Sequence, residues 1–286
     1  MKSEELPSGP LVSTDWLGRH LHDPDVVVVD CRWYLPPMDM RNPDEEYARS
    51  HIPGATHLKW DTDIVDPDHR DTLMIAPAEL FAAEMARRGI GDDTFVVAYD
   101  DQHVTVAARL WWALRLYGHD RVAVLDGGFD RWVSEGRATT DEVPRPEPAV
   151  FNPRPRPELR ATKDSVLEAL ETDDVILIDG RMTAAREQDG GVIPGSLHAA
   201  GIEFLTEEGV WPSGEECRRI LTEAGADLSR PVVAYCRGGV GACGTALALA
   251  LAGHDRVAMY DGSWTEWVAD PDTPKEWLDA DRGEDR

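Results

Sequence analysis

Cysteine is scarce in this chain: four residues in 286, Cys31, Cys217, Cys236 and Cys243, stand at irregular spacings. That excludes a disulfide framework and a paired C-x-x-C metal site, so each thiol is judged singly. Basic residues are also in short supply, 29 against 54 acidic ones, and the formal net charge of -25 repels phosphate backbones and anionic lipid surfaces. Neither nucleic acid nor a membrane is an expected partner. No run approaches the ~20 apolar residues that cross a bilayer. The opening Met1-Lys2-Ser3-Glu4-Glu5 lacks a basic segment leading into an apolar one, which points to a cytoplasmic location. The nine histidines form no ligand-spaced cluster, so no metal site is expected.

What the chain does have is apolar bulk and a repeat. An apolar fraction of 42% and ten Trp residues supply real cores, and the length suits two domains of roughly 100–200 residues each. Val96-Val97-Ala98-Tyr99-Asp100 recurs as Val232-Val233-Ala234-Tyr235-Cys236, an offset of 136, and Gly118-His119-Asp120-Arg121-Val122 recurs as Gly253-His254-Asp255-Arg256-Val257, an offset of 135. Ile52-Pro53-Gly54 matches Ile193-Pro194-Gly195 at an offset of 141, and Asp30-Cys31-Arg32, Asp126-Gly127 and Trp132 match Asp179-Gly180-Arg181, Asp261-Gly262 and Trp267 in the same order. Pro144, Pro146, Pro148, Pro153, Pro155 and Pro157 read as an extended, stiff linker, because proline suits neither a helix interior nor a central strand. The division expected is a first domain over 13–140, a linker over 141–158 and a second domain over 159–280.

Short β-branched runs (Val26–Val29, Phe95–Ala98, Val175–Ile178, Val232–Tyr235) alternate with helix-compatible stretches such as Val104–Leu116 and Ala242–Leu251. The fold class is therefore α/β, two tandem domains that each hold a mostly parallel sheet flanked by helices. Thr162 is placed to cap the helix carrying Val166, Leu167 and Leu170, and Gly118 and Gly253 sit where helices stop.

The segment Tyr235-Cys236-Arg237-Gly238-Gly239-Val240-Gly241-Ala242 runs from a strand through a glycine-rich loop into a helix. Gly238, Gly239 and Gly241 permit left-handed or crowded backbone that aims successive N–H groups inward, and the helix adds its N-terminal dipole. Such a loop cradles an anion, and a cysteine at its mouth, beside Arg237, has its thiolate favoured and serves as a nucleophile. A cysteine phosphatase needs Cys and Arg separated by five residues, but Ala242 holds that position, which disfavours phosphoryl transfer.

Over nearly its whole length the sequence resembles the tandem-domain rhodaneses, the thiosulfate and 3-mercaptopyruvate sulfurtransferase family. The segments that carry the resemblance are Asp30/Arg32 and Asp179/Arg181, His51-Ile52-Pro53-Gly54-Ala55, Asp126-Gly127-Gly128, Tyr260-Asp261-Gly262-Ser263-Trp264-Thr265-Glu266-Trp267, and the Cys236 loop. The resemblance implies that only the second half is catalytic, since Asp100 stands where Cys236 does, and that the first half walls a site between the domains. Trp111 and Trp112 are candidates for that wall, against the commoner fate of helix aromatics in a core. It implies further that Cys236 takes the outer sulfur of a small-molecule donor as a persulfide and passes it to a thiophilic acceptor, with ping-pong kinetics and no cofactor. Arg237, Gly238, Gly239, Val240 and Gly241 then bind substrate, together with Arg186, which resembles the family's substrate-binding Arg; Arg181 is left to a structural ion pair with Asp179.

Thiosulfate enzymes of this family read Cys-Arg-x-Gly-Val-Thr and mercaptopyruvate enzymes Cys-Gly-Ser-Gly-Val-Thr. Arg237 favours thiosulfate, with 3-mercaptopyruvate the alternative donor, while Gly241 forgoes the final Thr hydroxyl. An alternative of another class is a non-catalytic rhodanese-like module that binds an anion or partner in the loop. Cys243 is expected to be packing, Cys31 and Cys217 to have no role, and His119 and His254 to share a structural one. The acid runs Asp39–Glu46 and Asp279–Arg286 are expected to be solvated.

Overall fold

The computed structural model describes residues 7, 9–34, 36, 39–69, 73–101, 105–172 and 174–278. Apolar runs without alternation bury both faces, as central parallel strands do. In the first half β1 (Leu11–Val12), β2 (Val26–Asp30), β3 (Thr56–His57), β4 (Phe95–Tyr99) and β5 (Val122–Leu125) form a parallel sheet in the order β1-β5-β4-β2-β3. The second half adds β6 (Arg160–Ala161), β7 (Ile176–Asp179), β8 (Gly191–Val192), β9 (Leu197–His198), β10 (Val232–Tyr235), β11 (Val257–Tyr260) and β12 (Glu276–Trp277). Its main sheet, β6-β11-β10-β7-β9, is again parallel and repeats the first order strand for strand; β8 and β12 pair antiparallel beside it.

Contacts divide the chain into two compact units, one of residues up to Arg70 with Ile75–Pro157 and Leu205–Pro212, the other of Asp71–Met74, Glu158–Phe204 and Ser213 onward. Their cores are twins. Tyr99 and Tyr235 end the central strands fully buried, and each hydroxyl accepts from a backbone N–H, that of Ile52 or Ile193. Trp132 and Trp267 are buried and donate through Nε1 to Ala138 O and Pro274 O, both at 2.8 Å.

Helix limits follow local chemistry. The helix Lys163–Thr172 opens on a reciprocal cap in which Thr162 Oγ1 accepts the Ser165 N–H and Ser165 Oγ accepts the Thr162 N–H. The helices Val106–Leu116 and Gly241–Leu251 are followed by Gly118 at φ +83 and Gly253 at φ +73, as the sequence leads one to expect. Val104, expected to begin the first of these, lies outside the described residues.

The proline-rich segment holds no helix or strand over 141–156 and lies along the first unit: Ala149, Arg154 and Arg156 donate their N–H groups to Ala86, Tyr117 and Leu116, and Phe151 is buried beside Phe81. Proline removes its own donor but leaves those of the residues between, and these dock the segment on the first unit. The run Asp39–Glu46 is exposed or half-buried throughout, as expected of a solvated face, and within it Asp39 pairs with Arg41 and Asn42 caps the helix Pro43–Arg49. Asp44, Glu45 and Glu46 then lie in its first turn, where the helix dipole favours them. The run Asp279–Arg286 lies outside the described residues.

Candidate active site

Strand β10 delivers the chain to Cys236, which is 4% exposed, and five residues later the helix Gly241–Leu251 begins. Gly239, at φ +82, turns its N–H onto Cys236 Sγ at 3.1 Å. Of the three loop glycines, Gly239 is required by its dihedral and Gly241 by crowding, since a Cβ there would lie 2.8 Å from Gly180 O. Gly238 needs neither, as a Cβ there would meet nothing within 4 Å.

The loop is pinned from the side by the start of the helix Ser263–Ala269. Cys236 N–H donates to Ser263 Oγ at 3.1 Å, Ser263 Oγ donates to Tyr260 O at 2.8 Å, and Trp264 N–H donates to Cys236 O at 3.0 Å. Thr265 donates both its N–H and its hydroxyl to Arg237 O. Ser263 is fully buried at φ +53, a left-handed conformation that costs a residue with a Cβ roughly 1–2 kcal/mol. Sequence reasoning missed it. The signal was its repeat counterpart Gly128, which sits at φ +54 and precedes the equivalent bond from Phe129 N–H to Asp100 O.

The expected cations are placed differently from one another. Arg181 is the structural ion pair foreseen: it clamps Asp179 through Nε and Nη2, and also donates to Gly191 O and Asp189. Burial opposes its charge, but the bonds and field of Asp179 outweigh that and push the guanidinium above its usual range. Arg186, on the helix Thr183–Asp189, brings Nε to 3.5 Å from Asp179 Oδ2, and that buried nitrogen makes no hydrogen bond. Arg237 does not stand free beside the thiol. Its Nη2 and Nε donate to Asp189 at 2.7 and 3.0 Å, so part of its charge is already matched.

The remaining thiols are embedded. Cys243 Sγ donates to Gly239 O at 3.1 Å and touches Met259 Sδ. Burial, and after it Asp100 and Asp30, pushes the Cys31 thiol well up, while burial and then Glu216 pushes Cys217 up to about 11. His119 and His254 each set Nε2 3.2 Å from the carbonyl two residues on. Trp111 and Trp112 are buried, with the Arg115 and Arg109 guanidiniums over their rings. Among the described residues no group of three or more His, Cys, Asp and Glu is placed to hold a metal ion, and no helix is long and apolar enough to cross a membrane.

Two α/β units, each built on a parallel sheet and the second following its central strand with a cysteine held in a glycine turn, define a tandem-domain protein. The rhodanese-like domain family matches the chain twice, at residues 13–135 and 162–270. The chain belongs to that family. It is 40% identical to the thiosulfate sulfurtransferase of Rattus norvegicus, over 92% of this chain and 94% of that one. The 3-mercaptopyruvate sulfurtransferase of Homo sapiens is 37% identical, over 90% and 91%. Among solved structures, SseA from Escherichia coli, described as a 3-mercaptopyruvate sulfotransferase, superposes with a TM-score of 0.83 at 29% identity, over 90% of this chain and 99% of that one.

Proposed function

We propose that this chain is a sulfurtransferase that takes sulfane sulfur from thiosulfate and carries it on Cys236. The observation that carries the reading is the Gly239 N–H aimed at Cys236 Sγ at 3.1 Å within a turn that leads into a helix N-terminus. The Cys236 thiolate attacks the outer sulfur of thiosulfate; the S–S bond breaks, its electron pair leaves with sulfite, and a Cys236 persulfide anion remains. Cyanide or a thiol then attacks the terminal sulfur and returns Cys236 as thiolate, so charge balances in both half-reactions and no cofactor takes part.

Arg237, Gly238, Gly239, Val240 and Gly241 line the donor position in this reading, and Arg186 supplies charge from the helix Thr183–Asp189. The Arg that follows the cysteine, and relatives at 40% identity that are thiosulfate enzymes, support thiosulfate over 3-mercaptopyruvate. Cys31, Cys217 and Cys243 form no disulfide, which fits a reducing, cytoplasmic setting. The test is thiocyanate formation from thiosulfate and cyanide, with 3-mercaptopyruvate in parallel. Transfer is expected in the wild type and absent in Cys236→Ser; a wild type inactive with both donors would return the protein to a binding role.

A further inference from the structure

Five charged side chains of the second unit form one alternating row that ends at Arg237, the residue after the cysteine. Arg186 faces Asp179, Asp179 is clamped by Arg181, Arg181 Nη1 reaches Asp189 at 3.0 Å, and Asp189 takes both Nε and Nη2 of Arg237. Three cations alternate with two anions, so the row carries one net positive charge and shows an Arg at each end.

The first half keeps the inner pair, Asp30 with Arg32, and nothing else of the row. The offset of 141 that aligns Ile193 with Ile52 puts Glu45 in the place of Arg186 and Ala48 in the place of Asp189. The offset of 136 that aligns Cys236 with Asp100 puts Asp101 in the place of Arg237. Both terminal cations, the acid next to Arg237 and the cysteine are thus absent from the same half. Arg181 gives Asp189 only its Nη1, while Asp179 and Gly191 O take Nε and Nη2, and Arg32 keeps the corresponding bonds to Asp30 and Ser50 O with Ala48 in the place of Asp189. Asp189 therefore belongs with Arg237 and the thiol.

Asp189 is 17% exposed and Arg237 45%, so their pair is open enough for an anion arriving at the loop to compete with the carboxylate. A fixed negative charge at that place opposes a divalent anion twice as strongly as a monovalent one, because Coulomb energy scales with the product of charges. We propose, resting on Cys236 as the sulfur carrier, that Asp189 is a positioning residue that sets donor discrimination by charge. It holds Arg237 and damps the pull of the loop on divalent donors such as thiosulfate relative to monovalent ones such as 3-mercaptopyruvate.

The test measures protection of Cys236 from iodoacetamide by sulfate and by pyruvate, in the wild type, Asp189→Asn, Asp189→Glu and Arg237→Gln. In Asp189→Asn the half-protecting concentration of sulfate is expected to fall by the square of the factor for pyruvate, about ninefold where pyruvate falls about threefold. Asp189→Glu keeps the wild-type ratio, and Arg237→Gln, which does not depend on the folding of an Asp189 variant, moves it the opposite way. A loss of packing alone would shift both anions equally or weaken both. An equal shift, no shift, a changed ratio in Asp189→Glu, or no protection by sulfate in any form overturns the proposal. Thiocyanate formation by the wild type, run alongside, separates the two levels: its absence sinks the sulfurtransferase reading while the protection ratio still decides Asp189.

Discussion

Replacing Ser263 by Ala and by Gly separates a strained backbone from the hydrogen bond it maintains. Both variants lose the hydroxyl that accepts the Cys236 N–H at 3.1 Å, and leaving a buried donor unpaired costs about 1–3 kcal/mol. Only glycine also relieves the φ of +53, which returns roughly 1–2 kcal/mol. Ser263→Ala is therefore destabilised by about 1–3 kcal/mol, and Ser263→Gly by about 1–2 kcal/mol less than Ser263→Ala. At roughly 2–4 °C per kcal/mol the two melt about 2–8 °C apart, with alanine the lower. Their catalysis should not differ in this way, because both leave the loop equally unanchored: thiocyanate turnover falls alike in the two, on the order of tenfold for ~1.4 kcal/mol of lost positioning. Differential scanning calorimetry and the thiocyanate assay on the same preparations decide the matter. Equal melting temperatures would refute stored strain at residue 263, and full turnover in either variant would refute the anchoring role of its hydroxyl.

Arg181→Met leaves the fully buried Asp179 without its clamp and is expected to cost about 3–5 kcal/mol, with part regained in Asp179→Asn/Arg181→Met; denaturant melts that show under 1 kcal/mol would contradict this. Gly241→Thr sets a Cβ 2.8 Å from Gly180 O, so a threonine in this loop should lower stability by about 1–3 kcal/mol and depress turnover; a variant as stable as wild type would mean the Gly180 peptide yields freely. Burial lowers the His119 pKa below the ordinary 6.5, so its contribution to stability is present above that pH and is lost as pH falls through the lowered value. His119→Gln should flatten the stability profile below pH ~6.5, and an unchanged slope would show that this ring does not set it.

The repeat made most of this architecture legible. Identical motifs at near-constant offsets force identical strand orders, and the runs that gave β4 and β10 are apolar on every residue, as strands buried on both faces are. The cysteine loop was legible because glycine carries conformational information in its identity. Ser263 and Asp189 were not, for opposite reasons. A serine in a left-handed conformation looks like any serine, and only the glycine opposite it in the repeat betrays the geometry. An aspartate at a helix end looks solvated, and its hold on Arg237 arises from the approach of two segments nearly fifty residues apart. The docking of the proline-rich segment was hidden likewise, since its donors are the residues between the prolines.

The duplication also sets the same strand-to-helix corner in two chemical states within a strongly acidic chain. In the first unit the same strand-to-helix corner carries Asp100, whose Oδ2 accepts the Ala107 N–H at 2.8 Å at the start of the helix Val106–Leu116. The carboxyl group takes the place of an anion at the helix N-terminus, where the dipole and the first-turn N–H groups favour negative charge. Burial still pushes its pKa well up, against the pull of that N–H, so the corner holds its own carboxyl group at some cost. In the second unit the corner carries a thiol, and Gly239 rather than the helix supplies the donor to it. Exchange of Asp100 for a cysteine is therefore not expected to make a sulfur carrier of the first half, because it has Glu45 and Asp101 where the second has Arg186 and Arg237. Asp100→Cys is expected to remain unlabelled by thiosulfate sulfur in a Cys236→Ser background, and a persulfide at that residue, detected by mass spectrometry, would show that the cradle alone suffices without the cations.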